Sequence, residues 1–107
     1  ANYTGLLIDA RGMDIKPVLA PSILNEKKEK MYGIGTIPAT LTGGGIVDYL
    51  SGDIEKAKKY KQIGSNPLVV KPINVVNQSD LVIGHTDTKN ITTIQPLLEK
   101  QKVAILL

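Results

Sequence analysis

Short apolar runs, separated by polar, glycine or proline residues, recur along the whole chain. Four of them are too short for helices and predict strands: residues 3–9, 46–50, 80–83 and 103–107. The first is bounded by Arg11 and Gly12 and is expected to be buried. The last is apolar to the final residue, and such an end normally lies in the centre of a sheet.

Two extended runs on either side of a polar loop predict a β-hairpin. Residues 18–24 and 29–34 form its arms, and residues 25–28 form its loop. Pro21 lies inside the first arm. Because proline cannot donate a backbone hydrogen bond, this arm is expected to be an edge strand or to contain a bulge.

Residues 67–76 form a long β-rich run with Pro72 in its middle. The same argument predicts an edge strand or a bulge near Lys71 and Pro72. An edge strand offers unpaired backbone groups to a neighbouring chain, and Lys71 and Asn74 are the only polar residues of this run. The run is therefore the predicted surface for self-association. The alternative is that the helix predicted over residues 53–62 covers it.

Residues 53–62 have the clearest helical pattern in the chain. Ile54, Ala57 and Tyr60 recur every three residues and form one apolar stripe. Acidic residues stand in the first turn and lysines follow, as the helix dipole favours. Gly64 is expected to end the helix.

Two other stretches predict helical structure. Residues 86–100 have a helical pattern with a break or kink expected at Pro96, and residues 36–42 predict one helical turn that ends at the glycines 43–45. Together the elements predict an α+β fold. We expect a single compact domain over residues 1–107, with about six or seven short strands and two or three short helices.

The composition excludes several kinds of chemistry. The 107 residues include no cysteine, no Phe and no Trp, and His85 is the only histidine. Disulfides, thiol catalysis and cysteine-ligated zinc are therefore excluded, as are histidine pairs that bind a metal. We expect neither a metal nor a cofactor, and a core built from aliphatic side chains.

The charges do not indicate a nucleic-acid partner. The formal net charge is only +3, and Arg11 is the only arginine among 13 basic residues. Arginine and aromatic side chains carry most phosphate and base recognition, and both are scarce. No apolar run is long enough to span a membrane. The lysines of residues 56–61 are expected to form a solvated helix face, with contact to an acidic surface as the alternative.

Asp9 and Arg11 flank the end of the first predicted strand. Being two residues apart, they point to the same side of an extended chain. Arg11 can bind a ligand carboxylate or phosphate through its forked guanidinium, or it can hold a turn in place. We favour the structural role, and the binding role stays open.

The segment Gly84-His85-Thr86-Asp87 resembles a stretch of the peptidoglycan-binding domain of the outer-membrane protein A type. In that family the aspartate helps to hold the peptide stem, so the resemblance makes Asp87 a candidate binding residue. The family's motif continues with an arginine, and this chain has none after Arg11. The alternative interpretation is a strand-to-helix turn, with Thr86 or Asp87 capping a helix that begins near Thr88.

Residues 3–13, with the sequence YTGLLIDARGM, carry the most distinctive motif. They resemble the YTGLIIDARGL segment that opens a domain of bacterial envelope proteins, often lipoproteins and some associated with flagellar or surface-structure genes. Similar segments follow in order at residues 16–24, 31–33, 46–49, 64–71, 80–83 and 102–107. The chain departs from the family in its first hairpin turn and in the proline of its last helix.

This resemblance implies an exported module in the periplasm or associated with the outer membrane, with no established enzymatic activity. The predicted function is therefore non-catalytic: assembly or interaction within a bacterial cell envelope, such as a subunit of a flagellar or surface-associated structure. The expected partners are other copies of the chain and other envelope proteins. The alternative is a domain that binds cell-wall peptide or another anion near Arg11 or Asp87. A hydrolase with paired carboxylates fits worst, because no spacing singles out a pair.

Overall fold

The computed structural model describes residues 2–18, 21–33 and 47–107 of the chain. The strands of this part are β1 (Gly5–Asp9), β2 (Ile23–Leu24), β3 (Lys30–Tyr32), β4 (Asp48–Leu50), β5 (Pro67–Val70), β6 (Asn74–Val76), β7 (Asp80–Val82) and β8 (Val103–Leu106). The helices are α1 (Ile54–Ala57), a 3₁₀ turn (Lys61–Ile63), α2 (His85–Thr92) and α3 (Gln95–Glu99). The strands form two four-stranded sheets, ordered β4-β8-β1-β5 and β3-β2-β7-β6.

The first sheet is entirely parallel, with β1 and β8 in its centre. Parallel sheets are covered on both faces, so their inner strands have apolar side chains at consecutive positions. In β1, Leu6 and Ile8 point to one face and Leu7 to the other, and all three are fully buried. This explains why the apolar runs at residues 3–9 and 103–107 form the two inner strands, β1 and β8.

One face of the first sheet packs against the second sheet and against α2 and α3. The resulting core joins Ile8 and Ile105 of the first sheet to Leu81 of the second and to Ile91 of α2. Tyr32 is the one aromatic side chain of the described residues that is fully buried. Burial, reinforced by the negative charge of Asp48, raises the pKa of Tyr32 to about 12.

The opposite face of the first sheet is covered by α1 and the 3₁₀ turn. Ala57 and Ile63 are buried there against Leu7. The Tyr60 hydroxyl donates a hydrogen bond of 2.9 Å to Asp48 Oδ2, and Thr4 Oγ1 donates one of 2.8 Å to the carbonyl of Ile63. These two bonds tie the helical segment to β4 and to the start of β1.

The prediction of one continuous helix over residues 53–62 is wrong. The segment is helical in two short pieces, because Tyr60 has an extended backbone with ψ of 125° between α1 and the 3₁₀ turn. The apolar stripe is nevertheless real: Ile54, Ala57 and Tyr60 all pack on the same core. The acidic start of the helix is as expected. Asp53 caps α1 by accepting a hydrogen bond of 2.8 Å from the backbone amide of Lys56.

The long run over residues 67–76 is two strands that belong to different sheets. β5 pairs with β1, and β6 pairs with β7, with the chain crossing between the sheets at Lys71, Pro72 and Ile73. The prediction of edge strands is confirmed, because β5 and β6 each lie at the outer end of their sheet. The alternative, that the helical segment covers this run, does not hold for Val69, which stays exposed, because Ala57 and Ile63 pack on the inner strands β1 and β8.

The predicted hairpin exists between β2 and β3, but its first arm is shorter than expected. Only Ile23 and Leu24 of the predicted 18–24 arm form a strand among the described residues, and this strand lies inside the second sheet. The edge position expected from Pro21 is therefore wrong. The alternative of a bulge agrees with a register shift between Ile23 and Leu24 in the pairing of β2 with β3.

The helical pattern over residues 86–100 breaks as predicted. α2 ends at Thr92 and α3 begins at Gln95, which places Pro96 in the first turn of α3, where its missing amide costs no helical hydrogen bond. The helical turn predicted over residues 36–42 and the glycines 43–45 lie outside the described residues.

The α+β class is confirmed. The part of the chain given above contains eight strands, more than predicted, because the 67–76 run supplies two of them. None of its helices has both the length and the apolar character needed to cross a bilayer.

The close approach of β1 to the 3₁₀ turn generates a prediction about Gly5. A Cβ atom at Gly5 would lie 2.6 Å from the carbonyl oxygen of Ile63 and 2.8 Å from its Cα, so backbone would have to move. We expect Gly5→Ala to lower the free energy of unfolding by about 1–3 kcal/mol in urea denaturation. Gln62→Ala is the control, because Gln62 is an exposed residue of the same 3₁₀ turn. An equal effect of the two substitutions would contradict the crowding argument.

Candidate functional site

Asp9 and Arg11 form a forked ion pair at the carboxyl end of the parallel sheet. Arg11 Nε donates to Asp9 Oδ1 at 2.8 Å, and Arg11 Nη2 donates to Asp9 Oδ2 at 2.9 Å. The backbone amide of Arg11 donates to the same carboxylate at 3.3 Å. The two side chains thus meet as their spacing predicts, and they close the turn that follows β1.

The pair changes the titration of both residues. The hydrogen bonds from Arg11 hold the pKa of Asp9 below its usual value, against a smaller opposing effect of burial. The same contact raises the pKa of Arg11. Asp9 occupies the Nε and Nη2 edge of the Arg11 guanidinium, so an external carboxylate or phosphate that leaves the pair intact can use only the remaining N–H groups of Nη1 and Nη2.

Lys71 lies beside the same turn. Its Nζ donates to the carbonyl oxygen of Arg11 at 3.4 Å, and its charge also lowers the pKa of Asp9. Because Lys71 follows β5, this contact fixes the carboxyl end of the edge strand to the turn after β1.

Asp87 lies in the second sheet's half of the molecule, in the first turn of α2. The prediction that Thr86 or Asp87 caps the helix near Thr88 is wrong, because α2 begins at His85 and its N-cap residue is Gly84. Glycine has no side chain to accept from the first amides. Glu26 does so from the β2–β3 loop, with Oε1 accepting a hydrogen bond of 2.7 Å from the backbone amide of His85.

The loop that carries Glu26 is held by Asn25. Asn25 Oδ1 accepts hydrogen bonds of 2.9 Å from the backbone amides of Lys27 and Glu29, and Asn25 Nδ2 donates to Glu29 Oε1 at 2.9 Å. Lys28 has a positive φ of 64° in the same turn. This network sets the loop so that the Glu26 carboxylate reaches the start of α2.

The candidate residues therefore belong to two separate places. Asp9 and Arg11 end a strand of the first sheet, whereas Asp87 follows β7 of the second sheet, and no hydrogen bond or ion pair of the described residues links them. In the same part of the chain, no three acidic or histidine side chains come together as metal ligands.

The edges of the two sheets differ in their charge. At one end of each sheet the edge strand carries a charged residue, Asp48 in β4 and Lys30 in β3. At the other end, β5 and β6 carry none. Charged side chains on an edge strand oppose pairing with another chain, so β5 and β6 lack this protection. We call residues 67–76, which contain both strands, the edge segment.

The edge segment also exposes apolar side chains. Val69 and Ile73 are 38% and 59% exposed, and among the described residues the only other large hydrophobic side chain so exposed is Val18. The alternation of an extended chain explains both positions, because buried and exposed residues alternate without interruption from residue 68 to residue 73. The run was predicted from the sequence, but the side that faces solvent was not assigned.

The Asp9–Arg11 contact predicts how stability depends on pH. A carboxyl whose pKa is lowered by folding stabilises the protein at pH values above the pKa that this group has in the unfolded chain. This contribution is lost as the pH falls through the pKa of the group in the folded protein. We expect Arg11→Gln to be less stable than the wild type at pH 7, with the difference disappearing as the pH falls below about 4. Urea denaturation across this pH range measures it. NMR titration should also show the pKa of Asp9 rising in Arg11→Gln, and an unchanged value would contradict the assignment.

The contact of Glu26 with α2 predicts a loss of helix capping on mutation. We expect Glu26→Ala to lower the free energy of unfolding by about 0.5–1 kcal/mol and to speed hydrogen exchange at the amide of His85. Glu99→Ala, at an exposed residue near the end of α3, is the control. Unchanged exchange at His85 in Glu26→Ala would show that this carboxylate does not cap the helix in solution.

Comparison with known proteins places the whole architecture in one family. The sequence model of the family described as Treponema pallidum Tp0624, second domain, matches residues 5–107. This region contains every strand and helix of the described residues, the Asp9–Arg11 pair and the edge segment. No curated protein matches the chain. The chain belongs to the family of the second domain of Treponema pallidum Tp0624.

Proposed function

We propose that this chain is a non-catalytic assembly module of a bacterial cell envelope, which pairs through its edge segment with further copies or with other envelope proteins. The observation that carries the proposal is the uncharged edge on two consecutive strands, β5 and β6. Strand addition at a sheet edge supplies backbone hydrogen bonds, and the exposed Val69 and Ile73 supply apolar contacts beside them.

The carboxylates support a structural function over catalysis. Several have partners that hold the fold: Arg11 with Asp9, the Tyr60 hydroxyl with Asp48, and the backbone amide of Lys56 with Asp53. Asp80 likewise accepts a hydrogen bond of 2.9 Å from the backbone amide of Ser22. The carboxylates so engaged fix turns, strand ends and a helix start.

The envelope location rests on the resemblance of residues 3–13 to the opening motif of exported bacterial domains. The match to a Treponema pallidum domain is consistent with a bacterial protein of this kind. We therefore place the module in the periplasm or at the outer membrane, and a flagellar or surface-associated structure is the kind of assembly it would serve.

The alternative, binding of cell-wall peptide or another anion at Arg11 or Asp87, is less favoured by the geometry. Asp9 occupies one edge of the Arg11 guanidinium and offsets its charge, and Asp87 stands apart on another element. Such a ligand would bind Arg11 only through the N–H groups that Asp9 leaves free, or would meet Asp87 without an arginine.

Sedimentation velocity over a roughly hundredfold range of protein concentration tests the proposal. We expect the average mass of the wild type to rise with concentration, and Val69→Lys and Ile73→Lys to remain monomeric, because a charge on the edge opposes strand pairing. Val18→Lys is the matched control. It adds the same charge at a similarly exposed valine outside the edge segment and should associate like the wild type.

Circular dichroism must show that the variants fold. A wild type that stays monomeric throughout would contradict self-association, and pull-down with other envelope proteins would then test the second kind of partner. Equal loss of association in Val18→Lys would show that charge in general, and not the edge, controls it.

A further inference from the structure

A second surface, on the opposite side of the first sheet from α2 and α3, carries a concentration of positive charge. Lys58, Lys59 and Lys61 line one open cleft of about 400 Å³ together with Gly64 and Ser65. All three lysines are exposed. We call this the lysine cleft, and it is separate from the edge segment and from the Asp9–Arg11 pair.

The local fold turns these lysines outward. Ala57 and Ile63 are buried against the first sheet, and Tyr60 packs on the same core and bonds to Asp48. With those three positions facing inward, Lys58, Lys59 and Lys61 must face solvent. Because the backbone at Tyr60 is extended, the chain changes direction between α1 and the 3₁₀ turn. The lysines before and after Tyr60 therefore border a cleft and do not lie along one face of a single helix.

The charge of the cleft is only partly balanced. Lys58 Nζ lies 3.4 Å from Glu55 Oε2 in an exposed pair, and exposed pairs of this type are weak. No carboxylate lines the cleft itself. In the described chain, Lys59 and Lys61 have no carboxylate within salt-bridge distance.

From this arrangement we propose that the lysine cleft binds a phosphate group, either free in solution or in the headgroup of an anionic phospholipid. A phosphate has several acceptor oxygens and up to two negative charges, which match three ammonium donors around one space. Lysine binds phosphate as a point charge and does not need the planar fork that arginine offers to carboxylates. Gly64 and Ser65 complete the lining and are small, which leaves room for an anion beside the lysines.

The test uses the double variant Lys59→Gln/Lys61→Gln. The control is Lys27→Gln/Lys89→Gln, which removes the same amount of charge from exposed residues of the β2–β3 loop and of α2. Titration with inorganic phosphate is followed by amide chemical shifts. We expect saturable shifts over residues 58–65, weakened about tenfold in the double variant and unchanged in the control.

Co-sedimentation with vesicles distinguishes the source of the phosphate. Vesicles of phosphatidylcholine with phosphatidylglycerol are compared with phosphatidylcholine alone. Binding that requires phosphatidylglycerol and is lost in the double variant identifies a lipid headgroup, whereas saturable shifts without vesicle binding identify a free phosphate compound. No response in either assay, or an equal loss in the control, overturns the proposal. Neither result bears on the edge segment, whose association is measured separately by sedimentation.

Discussion

The parallel pairing of β1 with β8 is the interaction on which the rest of the structure depends. The chain has no Phe and no Trp, so a stable core requires aliphatic side chains buried on both faces of these two strands. Leu6, Leu7, Ile8, Ile105 and Leu106 are all fully buried. Burial of one such side chain contributes roughly 1.5–3 kcal/mol. The two strands lie far apart in the sequence, and their pairing joins the start of the chain to its end.

This arrangement places the buried residues that stabilise the core apart from the surfaces that are proposed to bind partners. The central strands are enclosed by α1 and the 3₁₀ turn on one face and by the second sheet, α2 and α3 on the other. Among the described residues, the surfaces that stay accessible include the sheet edge at β5 and β6, whose strands contain no charged residue, and the lysine cleft on the α1 side. Both proposed surfaces are therefore peripheral, and each can be altered without removing a buried side chain.

The features that depend on local sequence were predictable. The apolar runs identified β1 and β8, Pro96 marked the division of the last helical stretch, and the spacing of Asp9 and Arg11 anticipated their contact. Each of these follows from neighbouring residues alone. The interruption of the 67–76 run was also predictable, because Pro72 cannot donate a backbone hydrogen bond to a neighbouring strand.

The features that depend on distant residues were not predictable. α2 begins at His85 because Glu26, 59 positions away in the sequence, accepts a hydrogen bond from its amide. The pattern over residues 53–62 contains no signal for the extended backbone at Tyr60, whose hydroxyl bonds to Asp48 on another strand. Asp87 gained its candidate role from a local resemblance, and only the fold shows that it lies apart from Arg11.

Amide hydrogen exchange, followed residue by residue at low and high protein concentration, measures both the stability of the β1–β8 pairing and the protection of the edge segment. We expect β1 and β8 to exchange most slowly at both concentrations, and the amides of β5 and β6 to gain protection only at high concentration. Rapid exchange in β1 would contradict the central role of its pairing with β8. Protection that grows at β3 or β4 instead of β5 and β6 would contradict assembly through the edge segment.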